Sequence, residues 1–346
     1  MRHYADDGVT LYRGDALEVL TTLPGDSIDC CITSPPYFGL RDYGEPGQYG
    51  LESTPAEYVE TMRSLFAEVR RVLADDGTLW LNLGDSYAQT STASGVAAES
   101  KTLGIRADGT DSLGDPGRIR AQARQRMGTT RRLQPDVGPK NLLGIPWRVA
   151  FALQGDGWIL RNAIIWHKPN AMPESVTDRL SCRYEHLFLF SKSRKYWFDL
   201  DPIREPLIHP DTVGHAFGGN SPEVGRRRGN RYGVTRPGSN REQGSDHDAA
   251  DPRGRNPGDV WTIATQPFSE AHFAVMSTDL AERCVLAGCR PGGTVLDPFS
   301  GSGTTGMVAQ RHGRKYVGID LNRDYLDLSL RTRLQQAALD FPEEAS

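Results

Sequence analysis

Ser34, Pro35, Pro36 and Tyr37 place a hydroxyl, two rigid imino acids and an aromatic ring in four consecutive positions, just after the apolar stretch Ile28 to Ile32. Proline has no backbone N–H and a fixed φ, so the pair ends a central strand and holds Ser34 extended. The chain then leaves the sheet as a stiff loop presenting a hydroxyl, carbonyls without competing local donors, and a ring at fixed relative positions. A site built this way needs little ordering when a ligand binds. Taken alone, the same four residues also describe a turn.

A second stretch runs from an apolar strand into a Gly-rich turn and then a helix: Val295, Leu296, Asp297, Pro298, Phe299, Ser300, Gly301, Ser302, Gly303, Thr304, Thr305, Gly306. Gly301, Gly303 and Gly306 satisfy G-x-G-x-x-G, and Asp320 ends the next strand seventeen residues after Gly303. An acid at that place can bond ribose hydroxyls, which points to a nucleoside cofactor. Asp297, in the strand end itself, repels phosphate and suits a cationic ligand. No Lys-Ser/Thr pair follows Gly306, so the turn is not a P-loop. By the glycines alone, a nicotinamide-dependent oxidoreductase and a purely structural turn stay open.

The two stretches together resemble the DNA amino-methyltransferases of the N4-cytosine/N6-adenine type, in the permuted order that puts the catalytic motif before the cofactor motif. The resemblance covers roughly residues 8 to 86, 145 to 200 and 259 to 330. It implies a Rossmann-like sheet binding S-adenosylmethionine. Asp297, Pro298, Phe299, Gly301, Gly303 and Thr304 then shape the cofactor pocket, Asp320 bonds the ribose, and Asp15 sits near the adenine amine. Residues 268 to 273, from Phe268 to Phe273, resemble the segment that contacts the amino-acid end of the cofactor or, equally, a core-packed approach to the sheet. Implied partners are double-stranded DNA and, in such systems, a cognate restriction endonuclease; oligomeric state is not legible.

An exocyclic amine on a base is a poor nucleophile, because its lone pair is delocalised into the ring, and the base must leave the duplex to be reached. Tyr37 can stack on the extruded base. The Ser34 hydroxyl and the Pro35 carbonyl can accept the two amine hydrogens and turn the lone pair toward the methyl group, with Pro36 stiffening the loop. Positioning and hydrogen bonding then supply most of the acceleration and no strong general base is required. In the family, serine before Pro-Pro-Tyr usually accompanies cytosine N4, so cytosine N4 is favoured over adenine N6. Amine methylation of RNA or protein, and a non-catalytic DNA-binding module, are the other classes. Arg41, Tyr43 and Lys168 are candidates for phosphate or orphan-base contacts.

Several elements must position these groups. The pattern predicts strands at 9–13, 28–33, 78–83, 158–166, 186–190, 294–296 and 316–319, and helices at 16–20, 55–73, 146–153, 279–287, 304–311 and from 323. Repeated strand-helix-strand units imply an α/β fold with a mainly parallel sheet covered on both faces, and ligands bind beyond the carboxyl ends of its strands. We read residues 1–346 as one catalytic domain with two insertions, 88–140 and 201–258, as possible target-recognition segments.

The net charge is −4, which by itself does not suggest a nucleic-acid partner. Its distribution is uneven: residues 88–140 hold nine Lys/Arg against five Asp/Glu, and residues 218–257 hold eight Arg against five acids. A mildly acidic body with basic, Gly-rich segments is compatible with a polyanion on one face, and also with solvated loops. No long apolar run or signal-peptide segment occurs, so a cytoplasmic, non-membrane protein is expected. The five cysteines, Cys30, Cys31, Cys182, Cys284 and Cys289, show neither metal spacing nor a disulfide framework, and no metal is expected.

Overall fold

The computed structural model describes residues 1–88, 137–207, 251, 253–266 and 275–335. Its strands are β1 (Arg2–Ala5), β2 (Val9–Arg13), β3 (Ile28–Thr33), β4 (Leu73–Leu83), β5 (Ile159–His167), β6 (Tyr184–Ser191), β7 (Val260–Thr262), β8 (Thr294–Asp297) and β9 (Lys315–Asp320). Its α-helices are α1 (Ala16–Thr22), α2 (Pro55–Val72), α3 (Ile145–Gly155), α4 (Thr278–Gly288), α5 (Thr304–Arg311) and α6 (Arg323–Ser329), the last followed by a π-helical turn, Leu330–Leu334. The expected elements are present, most with the same or slightly wider bounds; β4 begins at Leu73 rather than at 78, so α2 ends at Val72, and β5 runs one residue later than expected. The edge strands β1 and β7 are additions to the expectation, and both are too short to show a period.

One sheet holds all nine strands, in the order β1-β2-β9-β8-β3-β4-β6-β5-β7. The segment from β2 to β4 is parallel throughout. Strand β6 lies antiparallel between β4 and β5, so its beginning reaches the edge where the parallel strands end.

Alternation along the strands divides the core between the two faces. Cys31, Leu79, Leu81, Phe188 and Phe190 share one buried cluster with Tyr58, Met62, Leu65, Phe66, Val69 and Val72 of α2 and with Val149 and Leu153 of α3. The apolar stripe of α2 recurs at helical spacing, and each such side chain contributes about 1.5–3 kcal/mol when fully buried. Thr54 caps the helix, its hydroxyl accepting from the Glu57 N–H at 3.1 Å, and Pro55 occupies the first turn, where a missing N–H costs nothing. On the opposite face α4 packs against Trp80: the Thr78 hydroxyl donates to the Gly288 carbonyl at 3.0 Å and accepts from Trp80 Nε1 at 3.2 Å.

The path from β3 through α2 to β4 moves one way along the sheet, and that from β8 through α5 to β9 moves the other. The order therefore reverses between β3 and β8, which are neighbours. A crevice opens at such a reversal, beyond the strand ends.

The chain divides into two compact units, Met1–Asp199 with Asp259–Ser346, and Leu200–Gly258. The second nearly coincides with the Arg/Gly-rich insertion. Within it Glu205 and Arg255 form an antiparallel bridge, and Arg204 and Arg253 both pair with Asp201 and Asp251. Arg226, Arg227 and Arg228, and most of 88–140, lie outside the described residues.

A methyl group at position 288 would sit 2.1 Å from Trp80 Nε1. Gly288→Ala should therefore destabilise the protein by roughly 1–3 kcal/mol through overpacking, read as a lower urea midpoint with an unchanged m-value.

Candidate active site

Four adjacent strand ends present the motifs in a row. In sheet order they are Gly14 and Asp15 after β2, Asp320 ending β9, Asp297 ending β8, and Ser34 after β3. Three inter-strand steps span about 14 Å. The Gly14 N–H donates to the Asp320 carbonyl at 3.0 Å, closing the first step. The Thr33 hydroxyl donates to Asp297 Oδ1 at 2.7 Å, closing the last.

Asp297 is 4% exposed. Its Oδ1 also accepts from the Phe299 N–H at 3.1 Å, and its Oδ2 from the Thr305 hydroxyl at 2.9 Å. The carboxylate thus shapes the Gly-rich turn from inside. Asp320 does so from the other side: Oδ2 accepts from the Gly301 N–H and Oδ1 from the Asn322 N–H, each at 2.8 Å. Burial pushes both carboxyls up to about 6, against the pull of these donors. Among the described residues neither carboxylate has an ion-pair partner. Gly303 has φ +77°, and a Cβ there would lie 2.8 Å from that of Ser329, so the turn admits only glycine at that point.

The other cofactor candidates are placed as follows. Pro298 is buried and Phe299 half-buried. The Phe299 ring meets the Tyr49 ring edge-on, centroids 5.3 Å apart. The Tyr49 hydroxyl accepts from the Leu17 N–H at 3.4 Å, and Tyr49 lines a cleft with Asp15, Leu17 and Glu52. Tyr49, unnoticed in the sequence, therefore links the Asp15 and Phe299 ends of the row. Asp15 caps α1 with Oδ1, accepting from the Glu18 N–H at 3.0 Å. Thr304 is buried, and its hydroxyl accepts from Arg333. That bond ties it to the π-helical turn, and the structure does not bring its side chain to the row of strand ends. Residues 268 to 273 lie outside the described residues.

On the β3 side the loop is braced carbonyl by carbonyl. The Pro36 carbonyl accepts from the Tyr58 hydroxyl at 2.9 Å and that of Tyr37 from the Leu40 N–H at 3.3 Å. Among the described residues no donor engages the Pro35 carbonyl. The Tyr37 hydroxyl lies 3.1 Å from Ser34 Oγ, 3.1 Å from Asn82 Oδ1 and 2.7 Å from Glu185 Oε2. Glu185 also accepts from Lys168, whose ammonium stands 4.2 Å from the Trp166 ring centroid. Lys168 is thus committed to an ion pair rather than free for phosphate. Gly84, just past β4, packs on the Tyr37 ring so closely that a Cβ would be 2.5 Å from Cε2.

Asn82, Gly84 and Glu185 carry no motif. Their signals in sequence are faint: an Asn inside an apolar strand, a Gly at its end, and an acid separated by His186 from the apolar run Leu187 to Phe190. Asp85, beside them, is spent on backbone, accepting from the Ser86 and Ile145 N–H groups at 2.9 and 3.0 Å. Among the described residues no three His, Cys, Asp or Glu side chains gather to hold a metal ion, and no helix is long and apolar enough to cross a membrane.

A carboxyl that titrates near 6 when folded and near 3.8 otherwise binds its proton more readily in the folded state. Its contribution to stability therefore falls as pH rises from about 4 to 6. Asp297→Asn removes that titration. Whatever constant cost the lost acceptor brings, the stability of the variant relative to the parent should improve by roughly 2–3 kcal/mol between pH 4 and pH 7, measured by urea unfolding at each pH. A pH-independent difference would mean that the Asp297 carboxylate is not strained by its burial.

A DNA methylase family model matches residues 28–331. The chain is 43% identical over 333 residues to the type II methyltransferase M.Cfr9I of Citrobacter freundii, covering 95% of this chain and 88% of that one. It is 42% identical over 318 residues to the type II methyltransferase M.SmaI of Serratia marcescens, covering 91% and 87%. Among solved structures, the PvuII cytosine-N4-specific DNA methyltransferase superposes with a TM-score of 0.59 at 18% identity, covering 99% of this chain and 90% of that one. A proposed DNA modification methylase from Thermus thermophilus, solved with S-adenosyl-L-methionine, gives 0.51 at 20% identity, covering 96% of each chain. The matched family, the Rossmann-like sheet and the two motifs meeting at its order reversal agree, and the chain belongs to the N6/N4 DNA methylase family.

Proposed function

We propose that this protein is a site-specific modification methyltransferase of the type II kind, moving a methyl group from S-adenosylmethionine to N4 of a cytosine turned out of double-stranded DNA. The observation that carries the reading is the acceptor pair at the end of β3. Ser34 is a neutral, short acceptor beside the Pro35 carbonyl, and neither the Pro36 nor the Tyr37 carbonyl is free to compete. Two acceptors at fixed positions suit the two hydrogens of an exocyclic amine. The Tyr37 ring, half-buried and backed by Gly84, offers a surface for a base that has left its stack, worth about 1–3 kcal/mol per base.

The other half of the row fits a cationic nucleoside. Asp297 and Asp320 are buried carboxylates without cationic partners among the described residues, so a positive ligand beside them relieves part of their burial cost. The carboxylate lone pairs of Asp320 and Asp15 not used by backbone are available to hydroxyl and amine donors. Phe299 and Tyr49 supply apolar surface, and the open backbone at Gly301 lets a ligand approach closely. S-adenosylmethionine, when bound, supplies a methyl group already activated as a sulfonium. The chain's own residues then have to hold the amine in line and exclude water.

The insertions 88–140 and 201–258 are our candidates for target reading, on the strength of their charge. Arg204, Arg253 and Arg255 are spent on local acids and Lys140 on Asp178, so the other basic residues of the two insertions, Arg226, Arg227 and Arg228 among them, are the candidates for DNA contact. The reading also places the enzyme in the cytoplasm with its DNA, beside a cognate restriction endonuclease.

Digesting enzyme-treated duplex DNA to nucleosides and weighing them should show N4-methylcytosine; N6-methyladenine in its place would overturn the choice of base. Gly84→Ala should push the Tyr37 ring from its seat and slow methyl transfer by roughly tenfold or more, as small misplacements at a reacting centre do. Affinity for S-adenosylmethionine, measured by calorimetry, should stay near the parent value, since Gly84 lies on the base side of the row.

A further inference from the structure

The hydrogen-bonded chain behind Ser34 has a direction, and the ion pair at its far end sets it. Glu185 lies in β6 opposite Trp166 of β5, and Lys168 follows that strand directly, so the antiparallel register brings the two together. Both are mostly shielded, with side-chain exposures of 18% and 17%. A carboxylate can only accept. The single proton of the Tyr37 hydroxyl, 2.7 Å from Glu185 Oε2, therefore goes to Glu185, where the bond is charge-assisted. Asn82 cannot alter this: its Nδ2 donates to the His186 carbonyl at 3.1 Å, which turns Oδ1, another acceptor, toward the Tyr37 oxygen. With that proton committed, the 3.1 Å contact between Tyr37 and Ser34 has one polarity left, and Ser34 must donate. Its lone pairs are then its only free valences, available as acceptors.

We propose that Glu185, held by Lys168, is a positioning residue that fixes the Ser34 hydroxyl as an acceptor for the target amine, and that the same chain carries the amine's proton away after methyl transfer. The inference deepens the function proposed above and rests on it. As the N–C bond forms and the S–C bond breaks, the nitrogen becomes cationic and the sulfonium becomes a neutral thioether. The nitrogen then releases one proton to Ser34 Oγ, Ser34 passes its own to Tyr37, and Tyr37 passes its own to Glu185. The base ends neutral, Ser34 and Tyr37 are restored, and Glu185 is left as the neutral acid. Burial and the neighbouring Glu185 carboxylate raise the Tyr37 pKa well above the usual phenol range, in keeping with a hydroxyl that hands on protons without resting as a phenolate. No free base need stand next to the amine, where it would compete with the two acceptors.

Two conservative changes separate this from simple anchoring of the ring. Glu185→Gln keeps the length but removes the charge; Lys168 claims the single amide oxygen, so the amide nitrogen faces Tyr37 as a donor and still anchors it. If Glu185 only anchors Tyr37, the rate survives. If it sets polarity and receives the proton, the single-turnover rate should fall by about 10²-fold, with affinities for S-adenosylhomocysteine and duplex within about twofold and an unchanged melting temperature. Tyr37→Phe, which keeps the ring, should fall comparably, and the double variant should be no slower than the slower single one, because both cut the same chain.

A binding readout tests the polarity without turnover. In a duplex whose target amine is replaced by a carbonyl oxygen, the parent should bind less tightly than to the natural base. Glu185→Gln, in which Ser34 is free to donate, should lose most of that preference. Parent-like rates in either single variant, additive losses in the double, or an unchanged preference in Glu185→Gln would overturn the proposal. The mass of the modified nucleoside made by the parent decides cytosine against adenine separately, so the two readings fail independently.

Discussion

One hydrogen bond, from the Thr33 hydroxyl to the Asp297 carboxylate, joins the two halves of this enzyme. It is buried, 2.7 Å long, and spans 264 residues of sequence. Thr33 ends the strand that becomes the acceptor loop, and Asp297 ends the strand that becomes the Gly-rich turn. Bonds to a charged acceptor contribute about 1.5–3 kcal/mol each, and Asp297 takes three of them. They offset a burial that pushes its carboxyl up to about 6. The arrangement is thus tense: the carboxylate is costly, its donors hold it, and it in turn holds both loops.

From that bond the edge of the sheet divides by charge. Toward β2 it offers acids, Asp297, Asp320 and Asp15, and toward β4 and β6 it offers neutral acceptors, Ser34 and the Pro35 carbonyl, with the Glu185–Lys168 pair behind them. On the function proposed above, a cationic methyl donor and a neutral base call for those two environments, and the methyl group crosses the line between them. The antiparallel insertion of β6 is what furnishes the second environment, because it delivers the beginning of a strand, and so Glu185, beside the ends of β3 and β4.

The parts that proved legible in sequence were those with a local period or a local motif. Alternating strands, the stripe of α2 and the two loops each declare themselves within about twenty residues. Glu185 was not legible, because its importance lies in β5–β6 register and in Tyr37, 148 positions away; nothing near it in the chain announces either. Thr304 follows the Gly-rich turn where the family resemblance expects a pocket residue, and its hydroxyl accepts from Arg333, a partner that only the packing of the π-helical turn supplies. Arg253 and Arg255 add to the positive charge of an insertion in sequence, yet both pair with acids of the same segment, Asp201, Asp251 and Glu205. Net charge over a window reports composition and is blind to neutralisation within it.

Strands β8 and β9 fill a gap between β2 and β3, although β2 and β3 are joined by α1 alone. A ribosome therefore releases two strands whose shared neighbours are made well after both. At about 5–20 residues per second, the edges of β2 and β3 that face the gap stay unpaired for roughly 15–50 seconds while the intervening chain is synthesised. During that interval the Ser34 loop exists without the carboxylate that anchors it, and of the acids along the edge Asp297 and Asp320 are still missing. A chain that stops before β8 therefore has neither the Asp297 anchor nor the Gly-rich turn.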